Sequence, residues 1–343
     1  MLTATFSPTV AAASALPGAE AKPDVKPGID VFSLRSQGWT PFQFLDYCAK
    51  WKAKVVHFSE ARFVGGLEAQ NLKAVRAHAE KLGIEIEIGM TFICPTSKSF
   101  DASQGPAEEQ LSRMVDAAVL VGSRIVRAVM GRGNDRTGPI PIEGHIESTV
   151  KVLRAVRSKA VDSNVKIAIE NHSGDMQARE LKMLIENAGK GFVGACIDSG
   201  NPLWAIEDPH LTLEVLHPYV LTSHVRDSYV WPVPEGAAVC WVRMGEGNVD
   251  IDGWVRKYAE LCPGRALSLE VVVLGPRIHA YKKPEFWDGF RHTPAWEFVR
   301  FEKLVEAGKP RPPQPEVPKE QAAQWERENL EASLRYLQRL LQI

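Results

Sequence analysis

Four side chains able to hold a cation recur at matching places in the chain: Glu170, Asp198, His224 and Glu270. Each closes a short run rich in β-branched and apolar residues, within IAIENH (167–172), IDSGN (197–201), SHVRD (223–227) and LSLEV (267–271). Three carboxylates and one imidazole make a hard, oxygen-rich donor set. Such a set suits Mn²⁺ best, with Mg²⁺ or Co²⁺ as alternatives, whereas structural zinc prefers thiolates and imidazoles. Without a cation, three converging carboxylates repel one another and are pushed towards protonation. A single divalent ion removes that penalty. It leaves positions for vicinal substrate oxygens and can act as a Lewis acid towards an enediolate.

For the four to converge, the runs must be strands ending at one mouth. Successive strand residues face opposite sides. Glu170 then shares a face with Ala168 and His172, and Asp198 with Cys196. His224 shares one with Thr222 and Arg226, and Glu270 with Ala266 and Ser268. The bulkier sets, Ile167 and Ile169, Ala195 and Ile197, Leu221 and Val225, Leu267 and Leu269, are expected to meet a layer of helices. Further strands are predicted at Ile29–Arg35, Lys54–Glu60, Ile84–Thr91 and Arg124–Met130. Helices are predicted between them at Pro41–Lys52, Leu67–Leu82, Glu108–Leu120, Glu143–Lys159, Ala178–Ala188 and Ile251–Leu261. Eight such units over residues 28–308 predict an α/β fold, a (β/α)8 barrel whose active site lies at the C-terminal ends of its strands. No glycine-rich phosphate loop follows the first strand, which disfavours an open nucleotide-binding sheet.

Composition agrees with a globular protein. The 343 residues carry 41 basic and 42 acidic side chains, a net charge of −1, with 45% hydrophobic and 24% charged residues. That balance argues against a nucleic-acid partner. No run approaches the about 20 apolar residues of a membrane span. The five cysteines are widely spaced with no C-x-x-C, so they are expected to be free thiols. Residues 1–27 read as a disordered leader. The Thr9–Leu16 run and Ala19-Glu20-Ala21 resemble an export signal without its basic start. A cytoplasmic location is expected, with a periplasmic one as the alternative. Residues 309–343 read as a proline-rich linker (KPRPPQPEVP) and a C-terminal helix, Lys319–Leu341. Its stripe of Trp325, Leu330, Leu334, Leu337 and Leu341 is expected to pack on the barrel, or else to form a homo-oligomer contact.

In order and together, the four motifs resemble those of the xylose isomerase-like TIM barrels, a superfamily of sugar isomerases and epimerases. The resemblance covers about Gly28 to Val271. It implies that Glu170, Asp198, His224 and Glu270 bind one divalent metal, and that Glu170 and Glu270 also move the proton in an epimerase. Those epimerases commonly carry a histidine three residues after the strand-6 aspartate, where this chain has Asn201. An amide can hold a substrate hydroxyl but exchanges no proton near neutral pH. The endonuclease IV branch needs a three-metal cluster with more histidines than this chain supplies.

Other residues are expected at the mouth. Arg35, Arg127 and Arg226 suit a substrate carboxylate, or else internal salt bridges. Glu60 and Asn201 are expected to bind substrate hydroxyls, and His172 to donate a proton or a hydrogen bond. Asp227, on the opposite face, is expected to support a ligand from behind. Tyr229, Trp231 and Trp241 are expected to form a sugar-stacking lid or to pack within their loop. The expected reaction is decarboxylation of a 3-oxo sugar acid to a ketose through an enediolate, similar to the 3-oxo-isoapionate decarboxylase type of this superfamily. A ketose isomerase or epimerase, or a keto-sugar hydratase, shares the same metal and intermediate. A barrel that binds carbohydrate or a partner without catalysis is the remaining class. In every catalytic case the partner is a small keto sugar or sugar acid.

Overall fold

A strand covered on both faces must be apolar almost throughout, and the predicted runs meet that demand. The computed structural model of the chain describes residues 23–312 and 314–342. Its strands are β1 (Lys26–Asp30), β2 (Val55–Phe58), β3 (Glu85–Phe92), β4 (Ile125–Val129), β5 (Lys166–Glu170), β6 (Val193–Asp198), β7 (Val220–Val225), β8 (Asp227–Val233), β9 (Gly236–Val242), β10 (Ala266–Leu269) and β11 (Arg277–His279). β1 to β7 and β10 close into an eight-stranded parallel barrel in which β10 pairs with both β7 and β1. β8, β9 and β11 form a separate antiparallel sheet.

The first two strands end sooner than their composition predicts. Past Asp30 the chain turns into a 3₁₀ segment, Val31–Leu34, capped by the Asp30 side chain accepting from the Phe32 amide. β2 stops at Phe58. Arg35 and Glu60 therefore sit on loops beyond the strand ends. Residues 1–22 of the expected leader lie outside the described residues, while Lys26 and Pro27 already belong to β1.

One register detail corrects the expected facing of β7. Ala195 pairs with Val220 but Cys196 pairs with Thr222, so β7 carries one extra residue there. The bulge turns Leu221 from the helix layer to Ala168 and Cys196. Gly194 makes room for it: a Cβ at Gly194 would lie 2.6 Å from Leu221 Cγ and 2.5 Å from the Tyr219 carbonyl.

Helices cover the barrel: α1 (Pro41–Lys50), α2 (Ala69–Leu82), α3 (Ala107–Val121), α4 (Ile142–Ala155), α5 (Arg157–Asp162), α6 (Ala178–Ala188), α7 (Pro209–Leu216), α8 (Ile251–Leu261), α9 (Ala295–Ala307) and α10 (Ala322–Leu341). Local chemistry sets their limits. α1 starts on a capping box between Thr40 and Gln43. α2 stops at Gly83, in the left-handed region at φ 66°, where glycine has no Cβ to clash. The single helix predicted over Glu143–Lys159 is instead α4 and α5, divided where the Val156 amide bonds back three residues to Leu153. α6 and α8 have the predicted limits. Leu330, Leu334, Leu337 and Leu341 of α10 belong to the same core as Ile29, Phe44 and Trp254.

The long segment after β7, read from sequence only as aromatic loops, is the β8–β9 hairpin. The stretch Phe286–Trp296, which composition leaves unassigned, contributes a 3₁₀ turn and the start of α9 to an aromatic cluster under that hairpin. All five cysteines are free and buried. No helix among the described residues is long and apolar enough to cross a membrane.

Candidate metal centre and its cavity

Glu170 ends β5, Asp198 ends β6, His224 lies one residue before the end of β7, and Glu270 follows β10 directly. Register sets Asp198 beside His224, and His224 beside Ser268. The four side chains converge, with one donor atom from each within 4.8 Å of the others, and all four are buried. His224 Nδ1 lies 2.8 Å from Glu270 Oε2 and 3.1 Å from Glu170 Oε2.

The donors themselves are suited to a cation. Asp198 Oδ2 and His224 Nδ1 are buried and form no well-directed hydrogen bond, meeting only charged groups of the cluster. Such atoms are costly unless something in the cluster engages them. Burial opposes the charge of every carboxylate here. At Glu170 the Arg127 and His224 charges outweigh it and hold the pKa well below the usual range. At Glu270 the Arg226 and His224 charges also outweigh it and lower the pKa. Asp198 goes the other way: burial and its two neighbouring glutamates push it up to about 7 despite Arg226. Three hard carboxylates that cannot all ionise comfortably, with an imidazole nitrogen aimed among them, are a fitting donor set for a divalent ion.

The surrounding side chains orient the donors. Asn171 brackets Asp198, its amide accepting from the Asp198 N–H at 2.8 Å and donating to the Asp198 carbonyl at 2.9 Å. Asp198 Oδ1 accepts from the amides of Gly200 and Asn201, which leaves Oδ2 turned to the centre. Behind His224, the His57 Nδ1 and Asp30 Oδ2 atoms each stand 2.9 Å from Nε2. Burial and the neighbouring His224 charge lower the His57 pKa to about 3, so its ring is neutral. The His224 Nε2–H then points at His57 and Asp30, and Nδ1 is left facing the carboxylates. Neither Asp30 nor His57 was read as a site residue from sequence. Both precede the predicted strand ends and lie on the opposite parity from the mouth residues expected in those strands, Arg35 and Glu60, so their one signal is a polar side chain inside an apolar run.

The remaining expected residues divide into two groups. Arg127, Arg226 and Asn201 are engaged with the donors. Arg127 Nε donates to Glu170 at 2.5 Å, and Asn201 Nδ2 donates to Glu170 Oε1 at 3.1 Å. Arg226 pairs with Asp198 at 2.7 Å and with Glu270, its guanidinium lying over the Trp241 ring. Arg35, Glu60 and His172 line a cavity of about 270 Å³ above the centre, which Glu270 and Arg226 also reach. Arg35 is 3.5 Å from Glu326 of α10, and Glu60 accepts from Arg62. His172 Nδ1 is 3.1 Å from the Gly131 carbonyl, so the proton sits there. Burial lowers its pKa to about 4, and Nε2 carries a lone pair. His172 is thus set to accept rather than to donate.

Asp227 supports a loop instead of a donor: it accepts from the Gly245 and Gly247 amides at 2.9 Å each. Of the expected aromatic lid, Trp241 lines the cavity, stacked on Trp204 at 4.3 Å, while Tyr229 and Trp231 pack together on the other face of the hairpin. Trp204, Phe92 and Arg132 line the cavity without a sequence signal of their own.

Residues 45–284 match the family described as the xylose isomerase-like TIM barrel. The chain belongs to that family. The chain is similar to the 3-oxo-isoapionate decarboxylase of Pectobacterium atrosepticum, 23% identical over 215 residues that cover 61% of this chain and 69% of the relative. D-psicose 3-epimerase from Clostridium cellulolyticum, solved with D-tagatose, superposes with a TM-score of 0.56 at 13% identity, over 89% of this chain and 99% of that one. The IOLI protein, solved with a zinc atom, gives 0.54 at 15% identity, over 91% and 99%. These structures share the fold. At such identities the likeness is one of fold.

Proposed function

We propose that the chain is a divalent-metal-dependent carbohydrate enzyme working through an enediolate, and that its reaction is decarboxylation of a 3-oxo sugar acid to a ketose. Glu170, Asp198, His224 and Glu270 would hold the ion, Mn²⁺ by the hardness of the set, with Mg²⁺ or Co²⁺ as alternatives. Bound there, it would supply Lewis-acid stabilisation of the enediolate charge.

The observation that carries the lyase reading is the inequality of the two glutamates. Epimerisation by opposed acid and base needs both carboxylates to reach one carbon. Glu170 has no exposed side-chain surface and is held by Arg127 and Asn201, whereas Glu270 keeps 8% of its side chain exposed and lines the cavity. Decarboxylation needs only one such group. The electrons of the breaking C–C bond move to the ketone oxygen as CO₂ leaves, and one proton returns to the same carbon. Glu270 relays that proton from solvent, and Arg226 fixes its carboxylate. His172 Nε2 accepts a hydrogen bond from a substrate hydroxyl. The decarboxylase named among the relatives agrees in reaction type.

The test is purified protein with Mn²⁺, offered a panel of ketoses and 3-oxo sugar acids while CO₂ and sugar identity are followed together. CO₂ from an oxo acid is the expected result. A ketose mixture without CO₂ would replace this reading with an isomerase or epimerase. A cation-loaded protein that turns over neither would favour a binding barrel.

The partners of His224 give a second prediction. Asp30→Asn keeps the oxygen that accepts from Phe32 and Ser59 but removes the charge facing Nε2. Loss of such a supporting partner is expected to weaken Mn²⁺ binding by about 10–100-fold. Calorimetric titration with MnCl₂ reads it, and an unchanged affinity would show that Asp30 does not orient the imidazole.

A further inference from the structure

The arginines expected to bind a substrate carboxylate are already occupied. Arg127 faces Glu170, Arg226 faces Asp198 and Glu270, and Arg35 faces Glu326. Two other guanidiniums, one lining this cavity and one beside its Trp204 wall, have no carboxylate within 4 Å among the described residues. Arg132, in the loop after β4, lines the cavity and lies over the Phe92 ring at 5.1 Å. Phe92 in turn meets the edge of His172. Arg277 opens β11, where pairing with Val239 of β9 fixes its backbone. Its guanidinium lies 5.3 Å from the ring of Trp204, which lines the cavity.

Gly133 lets the second guanidinium approach the first residue's loop. A Cβ at Gly133 would stand 3.0 Å from Arg277 Nη2, and the Gly133 amide is tied to the Ser173 carbonyl at 3.1 Å. Arg277 is half-buried, and burial alone acts on its pKa, lowering it with no carboxylate to offset the cost. A half-buried cation without a counter-charge is unfavourable unless an anion is delivered to it.

We propose that Arg132 and Arg277 form a subsite for a terminal oxyanion of the substrate, a carboxylate or a phosphate ester, that is retained in the product. This rests on the sugar-enzyme reading for what fills the cavity, but not on the cation. The retained character follows from charge flow. A carboxylate that departs as CO₂ loses its negative charge, so a guanidinium clamped on it stabilises the ground state over the transition state. The same clamp on a group that keeps its charge anchors the far end of the molecule and costs the reaction nothing. Guanidiniums suit both carboxylate and phosphate oxygens.

The experiment titrates the full chain with ribitol, ribitol 5-phosphate and D-ribonate by calorimetry, once with Mn²⁺ and once with EDTA. Tighter binding of at least one anion than of ribitol is expected in EDTA, and that preference should fall about tenfold or more in Arg132→Ala and in Arg277→Ala. Arg311→Ala, a surface arginine over Tyr229, is the control that should keep it. The phosphate and carboxylate arms show which oxyanion is preferred. Neither anion exceeding ribitol in EDTA would overturn the subsite, as would a preference that survives in both variants. Failure of the metal reading is separate: it shows as absence of Mn²⁺ binding, whatever the anions do.

Discussion

Glu270→Gln is expected to lower turnover by about 10³-fold or more while leaving the barrel folded. The substitution is close to isosteric and sits just past the end of β10, so the strand ladder from Ala266 to Leu269 is untouched. What it removes is charge at one point. Glu270 Oε2 stands 2.8 Å from His224 Nδ1 and pairs with Arg226, and it is the one glutamate of the centre that lines the cavity. Positioned acid–base groups contribute about 10²–10⁴-fold, and here a cation donor is lost as well. Arg226 keeps Asp198 as a partner at 2.7 Å, so no buried charge is stranded. Circular dichroism and a denaturant midpoint check the fold, metal analysis checks loading, and CO₂ release gives the rate. Substantial activity in a folded, metal-loaded variant would remove Glu270 from the proton path.

The donor set was legible because strand parity is a two-residue rule that needs no tertiary information. Glu170, Asp198, His224 and Glu270 share a face by counting alone, and the barrel brings them within 4.8 Å. Counting fails where the backbone departs from the pleat. The extra residue in β7 moved Leu221 inward. The early end of β1 put Arg35 on a loop, because an aspartate at position 30 caps a 3₁₀ turn more readily than it extends a strand. The arginines show a different limit. Residue type shows that a guanidinium seeks an oxyanion, but not which one it finds. Arg127 and Arg226 found the chain's own carboxylates, while Arg132, in a loop without periodicity, was left facing the cavity. The β8–β9 hairpin was missed because its aromatic residues and VPEG turn read equally well as an ordered loop.

Leu337→Ala is expected to destabilise the protein by about 2–5 kcal/mol, the range for a fully buried leucine, although it lies after a proline-rich segment. The ring of helices explains why. α9 packs on β8 of the hairpin and not on the barrel strands, so the place between α8 and α1 is left open until α10 arrives. α10 fills it: Tyr336 is hydrogen-bonded to Asp252 of α8, Glu331 to Tyr47 of α1, and Gln338 to the Trp51 carbonyl just beyond α1. Leu337 is 2% exposed within the same core as Ile29 of β1. The helix also reaches the mouth, since Glu326 accepts from the amide and hydroxyl of Ser36 and faces Arg35. The denaturant midpoint should therefore fall at an unchanged slope, and it should not depend on protein concentration. If the leucine stripe served a dimer instead, the midpoint would rise with concentration, and Leu337→Ala would change the oligomeric size before it changed the stability of the barrel.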